Sequence, residues 1–378
     1  MKLAAISTAV VAAALAGCVF AFHPHPVLKA QDSWSPKAAA AYMDQREEWW
    51  ASWPKASKDH GTFCVSCHTV LPYALSQSAF HTVIPGQTSS ENESKLIESV
   101  TKRVRLWNDV TPYYPDVADK ARGTEAVLNA LVLSSHDSQE GKLSAETRMA
   151  FDNMWAIQLT KGDHEGGWSW IQFDNEPWEA YDSQYYGASL AAVAVGLAPE
   201  NYRSSAEIQE KIGRLSGYLN REFAAQTPIN HAVLLWASAK MPGLLTPDRQ
   251  NAIIHEISGK QQNDGGWCLA SLVGDWKRSD ETPLVMESDG YATGLITFAL
   301  LQAGTPHDDP RMARGVSWLT RNQSMLSGHW YGYSLNKRRR NPFSYPARFM
   351  DDAATAFAVL ALTQAKSESA KPGNLAAK

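Results

Sequence analysis

Two cysteines and a histidine, Cys64, Cys67 and His68, stand in the order Cys-x-x-Cys-His. This is the spacing at which a c-type haem is attached to a chain. Two thiols at this spacing reach the two vinyl groups of one porphyrin, and the histidine that follows lies under the iron, where a ring nitrogen is an axial ligand. The spacing therefore predicts covalent haem c on Cys64 and Cys67, with His68 as the proximal ligand of the haem iron.

Other uses of the cysteine pair stay open: a disulfide, a redox dithiol or half of a zinc site. Zinc is disfavoured because the chain has no second metal-binding pair; its other cysteines are Cys18 and Cys268. The haem-free alternative is a disulfide between Cys64 and Cys67, the simplest state of two thiols in an exported protein. We expect Cys268 to pack as a small apolar residue.

The N-terminus, residues 1 to about 22, has the positive start and Ala-rich apolar stretch of a signal peptide. The stretch is too short to span a bilayer comfortably, so we expect a periplasmic or otherwise extracytoplasmic protein. Residues 15–18 resemble a bacterial lipobox, in which Cys18 is lipidated and anchors the protein to the membrane. The alternative is ordinary cleavage after Ala21 or Ala30.

Composition indicates a soluble globular chain: of 378 residues, 44% are hydrophobic and 20% are charged. The net charge of −4 gives no sign of nucleic-acid binding. One basic run, residues 337–340, is interpreted as a solvated loop, with a docking patch for an anionic partner as the alternative.

The rest of the chain divides into a linker at 23–35, a helical domain at 36–365 and a disordered tail at 366–378. Within the domain an Ala-Leu-type helix end recurs, and each copy follows a more charged helix pattern. The six copies start at His68, Thr124, Ala188, His231, Thr293 and Thr355. The preceding helices are predicted at 36–50, 94–107, 144–160, 205–224, 246–260 and 308–322.

Six helical hairpins are the number that closes a ring. The Ala-rich second helices would lie inside, because small side chains let neighbouring backbones approach, and the charged first helices would lie outside. The sequence therefore predicts an all-α fold, an α/α toroid of about six helical hairpins, with the Cys-x-x-Cys-His motif in the first hairpin.

Three linkers between a first and a second helix carry a glutamine followed by a Gly-Trp turn. The clearest copy runs from Gln261 to Trp267. In each copy the glutamine can cap neighbouring helix ends, the glycines permit a tight turn and the tryptophan packs over the joint. We interpret these turns as structural. The two longer copies are Gln158 to Trp168 and Gln323 to Trp330.

The pattern Gln261-x-x-x-Gly265-x-Trp267 resembles the QW repeat of the squalene–hopene cyclase and protein prenyltransferase superfamily. The resemblance covers about 37–365 and implies an α/α toroid, with room for one barrel where full cyclases have two. Members of the superfamily use the barrel for apolar isoprenoid chains, so the resemblance implies a hydrophobic small molecule as a partner.

Cyclases of the superfamily protonate their substrate with an Asp-x-Asp-Asp-Thr-Ala motif, and the matching stretch here begins at Asp351. With Thr355 aligned, the family's proton donor falls on Ala353; shifting the register would restore an acid at Asp352, but Thr355 opposes the shift. We expect no cyclase activity and a helix-capping role for Asp289 and Asp351. The Asp, Cys and His set of the prenyltransferase zinc site is also missing.

Carboxylates crowd the third hairpin around His164. They are interpreted as part of a solvated loop, with a cation site or a polar barrel mouth as the alternative. They are Asp163, Glu165, Asp174, Glu176, Glu179 and Asp182.

Two classes of function follow for a haem at the barrel mouth: an oxidoreductase acting on a hydrophobic, isoprenoid-like ligand, or an electron-transfer module that meets a redox partner protein. The haem-free alternative is a repeat protein that binds or transforms an apolar terpenoid. The sixth iron ligand separates the two haem classes, because two ligands support electron transfer and an open site supports oxygen or peroxide chemistry. Candidates are His60, His81, Met43, His164 and His231.

Among these, His231 gives the sharpest hypothesis. It occupies the same position of the repeat as His68, in the fourth hairpin, which lies opposite the first in a ring of six. Adjacent helices pack about 8–10 Å apart, so the ring of inner helices is roughly 16–20 Å across. Two imidazoles could reach one iron across that span, which predicts His231 as the distal ligand.

Overall fold

The computed structural model describes residues 33–337 and 344–369. The signal peptide, the lipobox cysteine Cys18 and the greater part of the basic run at 337–340 lie outside the described residues. None of the described helices is long and apolar enough to cross a membrane.

The described chain is all-α and alternates between two rings of helices, as predicted. The outer helices are α1 (Pro36–Ser52), α3 (Glu91–Arg105), α5 (Ala145–Ala156), α7 (Gln209–Arg221), α9 (Pro247–Ser258) and α11 (Pro310–Arg321). The inner helices are α2 (Val70–Val83), α4 (Ala118–Glu140), α6 (Ser183–Leu197), α8 (Pro228–Lys240), α10 (Gly290–Gln302) and α12 (Phe349–Ser369).

The inner helices form a closed ring. Each packs against the next, from α2 through α4, α6, α8 and α10 to α12, and α12 packs back against α2. Small residues allow this close approach: a Cβ atom on Gly294 of α10 would lie 2.6 Å from the backbone nitrogen of Ala358 on α12. Burial agrees, since α10 is buried around its circumference whereas α11 buries one face only.

The Gly-Trp turns are structural joints, as predicted. In each, the indole Nε1–H donates to a carbonyl at the end of the preceding outer helix. These bonds are Trp168 to Met154 (2.6 Å), Trp267 to Ile257 (2.7 Å) and Trp330 to Leu319 (2.7 Å).

The glutamine of each joint ties its own turn to the next outer helix. Its amide donates to the glycine carbonyl of the turn and to a carbonyl at the start of the following outer helix. The second acceptors are Lys211 for Gln158, Arg311 for Gln261 and Ser35 for Gln323. The last bond joins the sixth hairpin to the N-cap of α1, so the same kind of joint closes the outer ring.

Two aspartates anchor these joints to the inner helices. Asp289 caps α10 and accepts from the N–H of Leu269, two residues after Trp267, which confirms its predicted capping role. The corresponding Asp351 accepts from the N–H of Gly332 (3.0 Å), but it lies inside the first turn because α12 already begins at Phe349. Asp351 therefore holds the turn rather than capping the helix.

Both ends of the domain differ slightly from the prediction. The linker at 23–35 ends in ordered residues, because Ser35 caps α1 and Trp34 packs against Trp330 at 6.0 Å between ring centroids. At the other end, α12 continues through Ser369, beyond the predicted start of the tail at 366. Residues 370–378 lie outside the described residues.

Candidate functional site

The Cys-x-x-Cys-His segment follows a small antiparallel ribbon that the sequence did not predict. Its strands, β1 (Ser57–Lys58) and β2 (Thr62–Phe63), are joined through His60 and Gly61, which have φ values of 55° and 68°. Only glycine adopts such values without strain, so Gly61 suits this turn. The ribbon ends at Cys64, whose N–H donates to the carbonyl of Ala56 (2.9 Å).

A buried arginine fixes this ribbon to the rest of the toroid. Arg103 of α3 donates to Asp59 (3.1 Å) and to the hydroxyl of Thr62 (3.0 Å), and it pairs with the buried Glu125 of α4. On the other side, the indole of Trp50 in α1 donates to the carbonyl of Cys64 (2.8 Å). The motif is therefore held between three helices before α2 begins.

Cys64, Cys67 and His68 are among the residues that line a narrow cleft. The free volume is about 20 Å³, little more than the room for one water molecule. The lining residues outside the motif come from α1, from the linker before α4, from α4 and from the linker before α6. The lining residues are Trp50, Cys64, Val65, Ser66, Cys67, His68, Tyr113, Tyr114, Ala121, Thr124, Ile171 and Glu179.

Both cysteines are buried free thiols in the structure. Burial raises the pKa of Cys64 to about 12, and burial, followed by the charge of Glu179, raises the pKa of Cys67 as well. Thiolate is the reactive form of cysteine, so these groups are poor nucleophiles for thiol–disulfide exchange. The arrangement therefore disfavours the redox-dithiol alternative.

His68 is half-buried at the start of α2, between aromatic rings. Its imidazole stacks on Phe349 with 3.7 Å between ring centroids and meets Trp50 edge to face at 5.1 Å. Burial, followed by the charge of Arg46, lowers the pKa of His68 to about 3, so the ring is neutral at physiological pH. A neutral imidazole has one nitrogen with a free lone pair, as an iron ligand requires.

The hydrogen bonds show which nitrogen that is. Nδ1 of His68 lies 2.9 Å from the hydroxyl oxygen of Thr69, which donates its own proton to Asp352 of α12 at 2.7 Å. The hydroxyl has no second proton to give, so Nδ1 is the donor and Nε2 bears the lone pair. Among the described residues, Nε2 has no hydrogen-bond partner.

Asp352 is the centre of a buried network. Its carboxylate accepts from Tyr42 (2.8 Å), from Thr69 (2.7 Å) and from two nitrogens of Arg46 (2.7 and 2.8 Å). Burial raises the pKa of Asp352, but the charge of Arg46 and the donated hydrogen bonds oppose that rise and favour the carboxylate. The two hydrogen bonds from Arg46 make Asp352 an ion-paired carboxylate rather than a free acid.

Glu179 is a site residue that the sequence interpretation assigned to a solvated loop. It faces the thiols from the linker before α6, and burial raises its pKa to about 7. Glu176 is also buried, and burial, followed by the charge of Asp182, raises its pKa to about 8. The solvated-loop interpretation is wrong for Glu176 and Glu179; it holds for Asp163 and Asp174, which are exposed.

The five candidate sixth ligands are not among the residues that line the cleft. His60 is exposed in the ribbon turn, and His164 is exposed in the third hairpin. Met43 is fully buried in α1. His81, near the end of α2, lies 3.0 Å from the amide oxygen of Gln139.

His231 is engaged elsewhere. Its Nδ1 lies 2.7 Å from the carboxylate of Glu256 on α9, and its Nε2 lies 3.0 Å from the carbonyl oxygen of Phe223. The side chain thus reaches toward the outer ring, whereas the hypothesis from the sequence required it to point inward. Neither nitrogen is available to an iron atom in this arrangement.

The remaining cysteine behaves as predicted: Cys268 is fully buried and its Sγ lies 3.4 Å from the carbonyl oxygen of Val285. Among the described residues, no group of three or more His, Cys, Asp or Glu side chains is placed to hold a metal ion.

Comparison with known proteins supports the fold. No protein-family model matches the sequence, and no curated protein matches it. Among solved structures, a glycosidase variant superposes with a TM-score of 0.51 at 11% identity, over 86% of this chain and 97% of the glycosidase. The wild-type glycosidase superposes with a TM-score of 0.48 at 12% identity and the same coverage. At such identity the likeness is one of fold alone: the chain is an all-α protein of the α/α toroid type.

Proposed function

We propose that the protein is an exported c-type haem protein, with haem joined to Cys64 and Cys67 through thioether bonds and His68 as the proximal ligand. When bound, the haem supplies one-electron redox chemistry. The toroid holds the thiols and the imidazole in place and keeps water from the buried side of the motif.

One observation carries this proposal: Nε2 of His68 has no hydrogen-bond partner in the part of the chain that the structure describes, while Nδ1 is held by Thr69. A metal-binding histidine is commonly fixed in this way through its other nitrogen. Cys64 and Cys67 line the same narrow cleft as His68, which supports a shared donor set for a c-type haem.

The space beside the donors must open for a porphyrin, because the cleft is far smaller than the macrocycle. Tyr114 and Phe173 lie at this side and touch edge to face at 5.1 Å between ring centroids. They are 36% and 40% exposed. A porphyrin beside the donors would require these two rings to move.

The signal-peptide pattern supports an extracytoplasmic location, with Cys18 as the lipid anchor if the lipobox is used. We propose electron transfer to or from a partner protein as the role of the haem, or oxidation of a hydrophobic ligand held by the barrel. The chain would then be a single-barrel relative of the QW-repeat superfamily, a proposal supported by the three Gln–Trp joints.

Expression with a haem-maturation system tests the proposal. The purified protein should give a haem-stained band after denaturing electrophoresis and a pyridine haemochrome spectrum of a thioether-linked haem. Cys64→Ala with Cys67→Ala should lose both signals, whereas Cys268→Ala, which removes a buried thiol outside the motif, should keep them. Absence of both signals in the wild type, with a disulfide between Cys64 and Cys67, would support the haem-free alternative.

A further inference from the structure

The first and last hairpins meet in a chain of hydrogen bonds that ends at His68. From the imidazole it runs through the hydroxyl of Thr69 to the carboxylate of Asp352, 283 residues further along the chain. Thr69, Asp352 and Arg46 are all fully buried, so water does not interrupt the chain. Such a buried connection between a site histidine and an anion has consequences for the histidine itself.

The donors and acceptors can be assigned along this chain without ambiguity. Arg46 has only donors, so the carboxylate of Asp352 is the acceptor, and the hydroxyl of Thr69 uses its one proton on that carboxylate. The hydroxyl oxygen then accepts from Nδ1–H of His68. Each bond polarises the next, so the negative charge of Asp352 is felt at the imidazole.

We propose that Thr69 and Asp352 are positioning residues that fix the Nδ1–H tautomer of His68 and make Nε2 a stronger electron donor to iron. The proposal rests on the proposed function, since it concerns the same site. A more basic axial imidazole favours ferric over ferrous iron, so the relay should lower the reduction potential of the haem. The aspartate that stands beside the cyclase acid position would here tune a histidine.

Tyr42 also donates a hydrogen bond to the Asp352 carboxylate, and removing it should have the opposite effect to removing the Thr69 hydroxyl. Its hydroxyl donates to Oδ1 of Asp352, the oxygen that does not face Thr69. Removing this donor leaves more negative charge for the relay, while the phenyl ring can keep its stacking on His329, at 4.7 Å between ring centroids. Tyr42→Phe should therefore shift the potential in the direction opposite to a break at Thr69.

The test compares Thr69→Val, Thr69→Ser and Tyr42→Phe with the wild type. Valine keeps the shape of threonine and leaves the Arg46–Asp352 ion pair in place; serine restores the hydroxyl. We expect Thr69→Val to change the one-electron equilibrium constant about tenfold, a rise of about 59 mV in the haem reduction potential. Thr69→Ser should stay near the wild type, and Tyr42→Phe should fall below it.

A haem-independent readout separates this inference from the proposed function. In the haem-free full chain, labelled with ¹⁵N-histidine, the wild type and Thr69→Ser should show His68 protonated at Nδ1, and Thr69→Val a mixture of tautomers. An unchanged tautomer in Thr69→Val, or a wild-type His68 protonated at Nε2, would overturn the relay. A haem-loaded Thr69→Val with the wild-type potential would overturn the tuning while leaving haem attachment intact.

Discussion

The first hairpin and the sixth use the same place in the fold for different purposes. In the sixth, the linker before the inner helix is a Gln–Trp joint: the groups of Gln323 and Trp330 are committed to neighbouring backbone. In the first, the indole that secures the linker comes from Trp50 of the outer helix instead. Among the described residues, this leaves Nε2 of His68 without a hydrogen-bond partner and both motif cysteines outside any disulfide. A joint that stabilises the ring can thus be converted into a site when its stabilising bonds come from elsewhere.

The largest difference expected of the first hairpin comes from a buried acid, Glu47. Glu47 of α1 is fully buried, and neither of its carboxyl oxygens has a hydrogen-bond partner among the residues that the structure describes. Burial, followed by the charge of Asp352, raises the pKa of Glu47 to about 8. The folded state therefore holds a proton that the unfolded state releases above about pH 4.5. Through Glu47 alone, the free energy of unfolding should fall as pH rises from about 4.5 to 8, by at most about 1.4 kcal/mol per pH unit.

Glu47→Gln should reduce the slope of stability against pH by this one contribution, whereas the contributions of Glu176 and Glu179, whose pKa values burial also raises, should remain. Urea unfolding at several pH values measures the change. Glu48→Gln, on the exposed side of the same helix, is the control and should keep the wild-type slope. A wild-type slope in Glu47→Gln would show that Glu47 does not contribute to the pH dependence.

Of the first and sixth linkers, the sixth should lose more free energy of unfolding when its aromatic ring is removed. Trp330→Ala removes a fully buried indole from the end of the outer helix, and we expect a loss of about 3–5 kcal/mol in the free energy of unfolding. Trp330→Phe keeps most of the packing and loses the bond to Leu319, so about 1 kcal/mol is expected. Equal effects of the two variants would mean that the hydrogen bond, rather than the ring, secures the joint.

The hydrogen bond that closes the outer ring can be compared with the equivalent bond between two consecutive outer helices. Gln323 bridges to Ser35 at the ring closure, and Gln261 makes the matching bridge to Arg311 within the chain. Each substitution to Ala should lower the free energy of unfolding by about 1–3 kcal/mol. Chemical denaturation of the two variants measures the difference directly. A far smaller loss for Gln323→Ala would argue that the closing joint contributes less than the others.

The motif cysteines should matter least for stability when haem is absent. Cys64→Ala and Cys67→Ala each remove one buried sulfur, for which roughly 1 kcal/mol is expected. Cys268→Ala is a matched control, since that thiol is also buried but belongs to a Gln–Trp joint. If the haem-free Cys64→Ala and Cys67→Ala variants lost as much free energy of unfolding as Trp330→Ala, the result would contradict the view that neighbouring elements hold the first linker in place.

Periodicity alone was sufficient for the architecture. The Ala-Leu helix ends, which recur at the same position of each repeat, predicted the six inner helices. The spacing of glutamine and tryptophan predicted the joints between outer and inner helices. The contact between Thr69 and Asp352 was out of reach, because it depends on the register at which the last inner helix meets the first. The direction of a side chain could not be predicted either: His231 shares the repeat position of His68 but turns toward Glu256 on the outer ring.

Glu179 shows a second limit. Its neighbours along the chain are polar, which is typical of a solvated loop, and only the folded linker before α6 brings it over the thiols. A signal was present in the run Glu176 to Trp178, where an X-Pro bond and a tryptophan favour an ordered turn, and the structure buries Trp178 beside His68 at 6.2 Å between ring centroids. Buried aromatic residues inside an acidic stretch therefore indicate that the stretch is packed.

The most direct test of the central claim is the mass of the peptide that contains the motif. After expression with haem maturation, denaturation and proteolysis, the peptide spanning Cys64 to His68 should carry the mass of one haem, with fragments that place a thioether on each cysteine. The same peptide recovered with the mass of the bare sequence, or with that of a Cys64–Cys67 disulfide, would contradict the account.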